Sequence, residues 1–208
     1  ILISNPGGFV EGVRADNLLR VGPRPRNPRL ADCFKRIGLV ERTGRGINII
    51  YAGQLRNGRR PPSYDRSTEV NVTVTLYGGS ANLDFVQLIL THEKERGAML
   101  SVAELLVLAH VYREREISTP KAAQLTQLSE PDARATLEQL VEAGLLEGRG
   151  ARRSRTYHLS AEVYREMGEP ALALAEAVNA PCPFGIDVPR KLRIAHAKLG
   201  ELGDVNVL

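Results

Sequence analysis

The chain has 208 residues, enough for one large or two small domains. Hydrophobic residues make up 43% and aromatic residues 5%, with no tryptophan, so its cores must be aliphatic. Lys and Arg number 28 against 24 Asp and Glu, a net charge of +4 with a pI of about 9.3. That mild basic balance admits a nucleic-acid partner. No run is long enough to span a bilayer and none reads as a secretory signal, so a cytoplasmic chain without a membrane partner is expected. Cys33 and Cys182 lie far apart, without C-x-x-C spacing or a Cys/His neighbourhood, which argues against structural zinc. His92, His110, His158 and His196 are dispersed, so no metal site is expected.

Ile1–Leu2–Ile3 predicts a short strand, broken by the turn signal Asn5–Pro6–Gly7–Gly8. The chain opens without Met and already inside an apolar strand, and reads as a fragment of a longer protein. Residues 15–19 suggest a helical turn. Arg24, Arg26 and Arg29 then form either a solvated loop or a phosphate-contacting patch. Pro28 suits the start of a helix in which Leu30, Cys33, Phe34 and Ile37 make an i, i+3, i+4, i+7 stripe. On that stripe Cys33 reads as a core thiol, and Gly38 ends the helix. Gly44-Arg45-Gly46 opens a second helix with Ile47, Ile50 and Leu55 inside, and Pro61–Pro62 ends the unit. Residues 69–77 (EVNVTVTLY) alternate cleanly, with Val70, Val72, Val74 and Leu76 on one face of a half-buried strand. Gly78–Gly79 is a hinge, and the apolar run from Leu83 to Leu90 predicts a linking helix. The expected bounds are a first unit at 1–79 and a linker helix at 80–99.

From 100 to 160 the periods read helix, short extended piece, helix, turn, helix, strand, basic loop, strand. That order is a winged helix-turn-helix. Ser101 and Glu104 form a capping box ahead of Val102, Leu105, Leu106, Ala109 and Tyr112. Ile117–Ser118 is extended, and Pro120 starts a short helix carrying Ala122, Ala123 and Leu125. Ser129 caps a third helix with Glu130, Pro131 and Asp132 in its first turn. Its buried stripe is Ala133, Leu137, Leu140, Val141 and Leu145, and Gly144 is the stop. Leu145–Leu146–Glu147 and Thr156–Tyr157–His158–Leu159 read as strands around a Gly- and Arg-rich wing. Arginines there can lie along a phosphate backbone and release counterions. The residues expected at double-stranded DNA are therefore Thr119 and Lys121, then Ser129, Arg134, Thr136 and Gln139, then Arg149, Arg152, Arg153 and Arg155 on the wing. Arg134 is expected nearest a base edge. A winged helix also serves as a protein-docking or dimerisation module, and this third helix starts acidic.

The run SNPGGF…RPRNPRLADCFKRIGLVERTGRGI resembles the C-terminal half of a bacterial family of RecG-like ATP-dependent DNA helicases. The motifs NPGG, RNP and E-x-x-G-x-G-I carry that resemblance over roughly residues 1–77. Many members of the family are described as transcriptional regulators, and full-length members begin with a Schlafen-type AlbA-like domain. The resemblance implies half of a GHKL (histidine-kinase-like) ATPase sandwich. It also places Asn5, Gly7 and Gly8 at a first nucleotide-proximal turn, and Gly44 and Gly46 at a later one. Exposed amides at such turns can cradle phosphate; equally, these glycines can simply make turns and caps. The helix that supplies the acidic and magnesium-binding residues in GHKL enzymes would lie ahead of this chain, and Asn5 replaces the acidic residue of the first turn. No G-x-x-x-x-G-K-[ST] is present. ATP is thus an expectation for a full-length protein alone, and no cofactor is expected here.

Residues 161–208 predict further helices that either pack on the winged helix or pair between chains, the latter giving a homodimer. The expected fold class is α+β: an α/β part resembling half a GHKL sandwich, then a winged helix-turn-helix. The expected function is DNA binding in transcription regulation, without catalysis. The alternatives are an ATP-binding or ATPase module, and a winged-helix protein-interaction or dimerisation module.

Overall fold

The computed structural model describes residues 1–40, 44–151 and 155–165. Its fold is α+β, in the order β1 (Leu2–Pro6), α1 (Pro28–Arg36), α2 (Arg45–Arg56), β2 (Asn71–Thr75), α3 (Leu83–Arg96), α4 (Val102–Glu114), β3 (Ile117–Ser118), α5 (Thr119–Thr126), α6 (Glu130–Glu142), β4 (Leu146–Arg149) and β5 (Thr156–Leu159). The chain divides after Ser160 into two compact units, the first being Ile1–Ser160. The tail expectations, including the homodimer helices and Cys182, fall almost wholly outside the described residues.

β1 and β2 pair antiparallel, from Leu2 opposite Thr75 to Pro6 opposite Asn71. The strand therefore runs through Asn5 and Pro6 instead of stopping before them. Pro6 is tolerated because the sheet has two strands and the residue sits at a strand end. The expected valine face of β2 is corrected: Thr73 is its one buried residue, while Val70 is exposed and Val72 and Val74 are half-buried. Thr73 is held by Ser4 Oγ across the sheet (2.8 Å) and by Ser67, whose Oγ accepts from the Thr73 amide (3.0 Å). Hydrogen bonding therefore satisfies the covered face, and the apolar side is left in part to solvent.

α1 is capped by Asn27, whose side chain accepts from the Leu30 amide, with Pro28 in its first turn. Its amphipathic stripe is real, yet none of its residues is buried: Leu30, Cys33, Phe34 and Ile37 are all exposed. The core-thiol reading of Cys33 is thus corrected. In α2 the buried residues are Tyr51 and Leu55, one turn apart, while Ile50 is exposed. Periodicity found each helix but not the face that meets a partner.

The second half closes around α4. Ser101 and Glu104 form the expected capping box. Burial pushes the Glu104 carboxyl up, but the Ser101 amide and the Arg96 guanidinium (2.7 Å) outweigh it and hold it below the usual carboxylate range. Leu105, Leu106, Val107, Leu108 and Val111 are buried on several sides of the helix, because α4 touches α2, α5, α6, β3 and β5. β3, β5 and β4 form an antiparallel sheet in that order, with Ile117 opposite Tyr157 and Arg149 opposite Thr156. Three helices and this sheet make the winged-helix arrangement. α3 runs a turn and a half past the predicted Leu90. It buries Phe85, Leu88 and Ile89, and Phe85 meets Tyr112 edge-on at 5.4 Å, so it is a packed helix rather than a tether.

One ionic joint ties the two halves. Arg56 donates to Glu93 Oε1 from Nη2 (2.8 Å) and Nε (3.2 Å), and to the Leu100 carbonyl (2.8 Å). Glu93 also accepts from the Leu100 amide (2.7 Å). Glu93→Ala leaves Arg56 and the Leu100 amide short of their acceptor. Its expected cost is about 2–3 kcal/mol in urea unfolding, below that of a fully buried pair because Arg56 keeps some solvent. A loss under about 0.5 kcal/mol, the ordinary surface value, would show that the joint is dispensable.

Tyr51 gives a second test. Burial first, then the nearby Tyr64 and Asp65, push its phenol up from 10.0 to about 12. The native state therefore holds this proton more tightly than the unfolded chain. The associated stability is complete below pH 10 and is lost as pH rises toward 12. Tyr51→Phe should lose less stability than the parent between pH 9 and pH 11; equal losses would place the phenol in solvent.

Candidate nucleic-acid interface

α6 is set by its cap. Ser129 Oγ accepts from the Asp132 amide (3.3 Å), and Pro131 occupies the first turn. Ala133, Thr136, Leu137 and Leu140 face inward, leaving Asp132, Arg134, Ala135 and Gln139 at least partly open to solvent. Arg134 therefore stands on the outer strip, its side chain 64% exposed. Thr136 does not. It is 8% exposed, and its hydroxyl donates to the Asp132 carbonyl (3.0 Å), which satisfies it without leaving the helix. The expected base-edge role of Thr136 is corrected on that ground; its spacing of three from Ala133 was the available sign. Ser129 is half-buried and spends its hydroxyl on the cap, and Thr119 is half-buried at the start of α5. Lys121 is exposed on α5, its Nζ donating to Gln124 Oε1 at 3.3 Å.

Glu138 is the residue sequence reasoning left without a role. It accepts from Tyr157 Oη (2.8 Å) and pairs with Arg155 (3.3 Å), with Arg134 one helical turn back at 3.9 Å. Arg155 lies 5.1 Å above the Tyr157 ring and runs across β4 at Gly148, where a Cβ would meet its Nε at 2.7 Å. Arg155 is therefore a clamp between α6 and β5, with part of its charge already answered. Burial, followed by the Glu138 hydrogen bond and charge, raises the Tyr157 phenol above its ordinary value. Arg149 pairs with Glu147 on its own strand, yet its side chain stays 65% exposed. Arg152 and Arg153 lie outside the described residues.

The first-half glycines form a different picture. Gly7, at φ +89°, donates its amide to the Val70 carbonyl (2.7 Å), and a Cβ at Gly8 would strike the Glu69 carbonyl oxygen at 2.2 Å. Asn5 is an exposed strand residue opposite Val72. Arg26 folds back to donate to the Gly8 carbonyl and fills the space beside Gly7. Arg24 does the same at Gly12, donating to the Glu11 carbonyl at 3.4 Å. An amide already bonded, beside a crowding carbonyl, does not fit a phosphate cradle. Gly44, at φ +72°, is the left-handed N-cap of α2 with Pro23 against it, and Gly46 stands open in the first helical turn. These two glycines supply a helix start. Among the described residues no group of His, Cys, Asp and Glu is placed to hold a metal ion, and no helix is long and apolar enough to cross a membrane.

Comparison with known proteins agrees with the resemblance of the first half. Residues 1–76 match the family described as "Putative ATP-dependent DNA helicase recG C-terminal". No curated protein matches the chain. Among solved structures, the DIP2311 protein from Corynebacterium diphtheriae is similar at 24% identity and a TM-score of 0.63, over 80% of this chain and 34% of that one. The chain thus spans about a third of that protein's length, and the likeness, which extends well past residue 76, shows the fold alone. A MarR family transcriptional regulator from Silicibacter pomeroyi matches at 23% identity over 58% of this chain and 81% of its own, with a TM-score of 0.32. A superposition that loose carries no argument.

The geometry of Glu138 makes a prediction. It is a negative charge on the strip that would face phosphates, and it draws on Arg134 and Arg155. Glu138→Gln keeps an acceptor for Tyr157 but removes the charge. Affinity for duplex DNA at low salt should rise roughly two- to tenfold, the scale of one charge acting across several ångströms near a protein surface. Unchanged or weaker binding in fluorescence anisotropy would take Glu138 off the interface.

Proposed function

We propose that the chain is the DNA-binding part of a transcription regulator, acting through its winged helix without catalysis. The single observation that carries this is the surface of α6: an outer strip with Arg134 and Gln139, on a helix whose opposite side is fully packed. Such a helix can enter the major groove, with Arg134 offering its guanidinium to guanine. The β4–β5 loop supports the reading from sequence, with Arg149, Arg152, Arg153 and Arg155 inside seven residues. Lys121 adds a further phosphate contact from α5. Arg155 serves mainly to hold the wing strand against α6, and Arg149 and Lys121 carry the more available charge among the described residues.

A second reading is a winged helix used for protein contact. Glu130 and Asp132 favour it: both stand at the α6 N-terminus, where they would meet phosphates unfavourably. The two readings part in one experiment, anisotropy of labelled duplex of random sequence at several salt concentrations. DNA binding predicts tight association at low salt that collapses as salt rises. In Arg152→Ala/Arg153→Ala the slope of log K against log salt should flatten by about 0.9 for each phosphate the wing no longer neutralises. No binding at low salt by the parent chain would reject the DNA reading in favour of the protein-contact one.

A further inference from the structure

Between the first half of the fold and α5 lies a cleft of about 490 Å³, within the size range of small-molecule sites. One side is Tyr51 of α2 together with the segment 60–65, and the other is Arg113 of α4 with the outer face of α5. Three of the chain's six tyrosines line it: Tyr51, Tyr64 and Tyr77. So do three cations, Arg60, Arg113 and Lys121, against one carboxylate, Asp65. Among the described residues these cations meet no carboxylate within ion-pair distance. Lys121 reaches the Gln124 amide oxygen, and Arg113 Nε reaches the Ala109 carbonyl at 3.3 Å. Asp65 is turned to Ser63 Oγ at 2.7 Å.

Hydrogen bonds tie parts of the walls together. Gln127 caps α5 in the left-handed region (φ 58°), an uncommon conformation for a side-chain-bearing residue. It holds that place by donating to the Ala15 carbonyl (3.0 Å) and accepting from the Leu19 amide (2.8 Å), more than 100 residues away in sequence. Gln54 Nε2 likewise holds the Tyr77 carbonyl at 3.1 Å. With that backbone held, the ordering left to binding falls on the exposed side chains of Arg60, Arg113 and Lys121. Tyr51 and Tyr64 are each only 8% exposed, so the face open to a flat ring is that of Tyr77, and a surplus of cations without carboxylate partners suits an anionic group.

We propose that this cleft binds a small organic anion built on a flat ring, with the ring against Tyr77 and its carboxylate or phosphate on Arg60, Arg113 and Lys121. Occupation would also reach the DNA face, because Lys121 belongs to both; that consequence alone rests on the DNA-binding reading. The test is calorimetric titration of the 208-residue chain with 2-naphthoate, 2-naphthyl phosphate and the neutral 2-naphthamide. At least one anion should bind with 1:1 stoichiometry, roughly tenfold or more tighter than the amide, and the stronger of the two identifies the anionic group. Arg60→Ala should weaken the anion by roughly tenfold or more, the worth of a lost charged hydrogen bond, while leaving DNA affinity as in the parent. Absence of binding by both anions, equal binding of the amide, or unchanged binding by Arg60→Ala would each overturn the proposal. In the presence of the bound anion the DNA salt slope should fall by about 0.9, one phosphate contact, and an unchanged slope would sink the coupling. Calorimetry needs no DNA, so the cleft is tested even in a chain that fails to bind duplex.

Discussion

Arg56 and Glu93 meet at the point where three segments of the chain converge: the end of α2, the last turns of α3, and the turn that leads into α4. Each partner answers a charge and a backbone group at once, since Arg56 also takes the Leu100 carbonyl and Glu93 the Leu100 amide. A half-buried pair satisfied in this way is worth more than a surface bridge, because neither charge is left to desolvation without compensation. The joint fixes where α4 begins. Just beyond it, Arg96 and the Ser101 amide hold Glu104 as the carboxylate that closes the capping box.

Anchored at that joint, α4 becomes a central helix that both halves share. It is apolar around most of its girth and has neighbours on either side, so the winged-helix portion is not an independent module on a tether. Gln127 makes the same connection from the other end, with α5 bound to the 15–19 turn through two hydrogen bonds. The cleft between these joints therefore has walls that belong to different halves and yet are held together. A ligand placed there would act on α5 directly, without needing a large rearrangement.

The α6 surface shows how a basic count overstates an available charge. Arg155 and Arg134 both lean on Glu138, and Arg149 on Glu147. Of these, Arg155–Glu138 ties the wing strand to the helix, and all three lower the local potential. The first-half glycines make a parallel point. A motif that resembles a nucleotide turn is, in this fold, a turn whose amide is spent on the Val70 carbonyl and whose flank is filled by Arg26.

Much of the architecture was legible in the chain itself. Ser101 with Glu104, Pro120, Ser129 with Pro131, and Gly144 fix helix ends by local hydrogen bonding and backbone geometry, and the winged-helix order followed from them. The α6 stripe of Ala133, Leu137 and Leu140 was readable for the same reason: a 3.6-residue period constrains one face. Tertiary structure alone decided which face finds a partner. Leu30, Phe34 and Ile37 have the period of a buried stripe and remain exposed, while Thr73 is buried on the polar side of its strand. It also decided that Thr136 turns inward, that Glu138 gathers two arginines and a tyrosine, and that Tyr51, Arg60, Arg113 and Lys121 share one cleft. Burial and pairing depend on neighbours far along the chain, and a local period carries no information about which of those neighbours arrives.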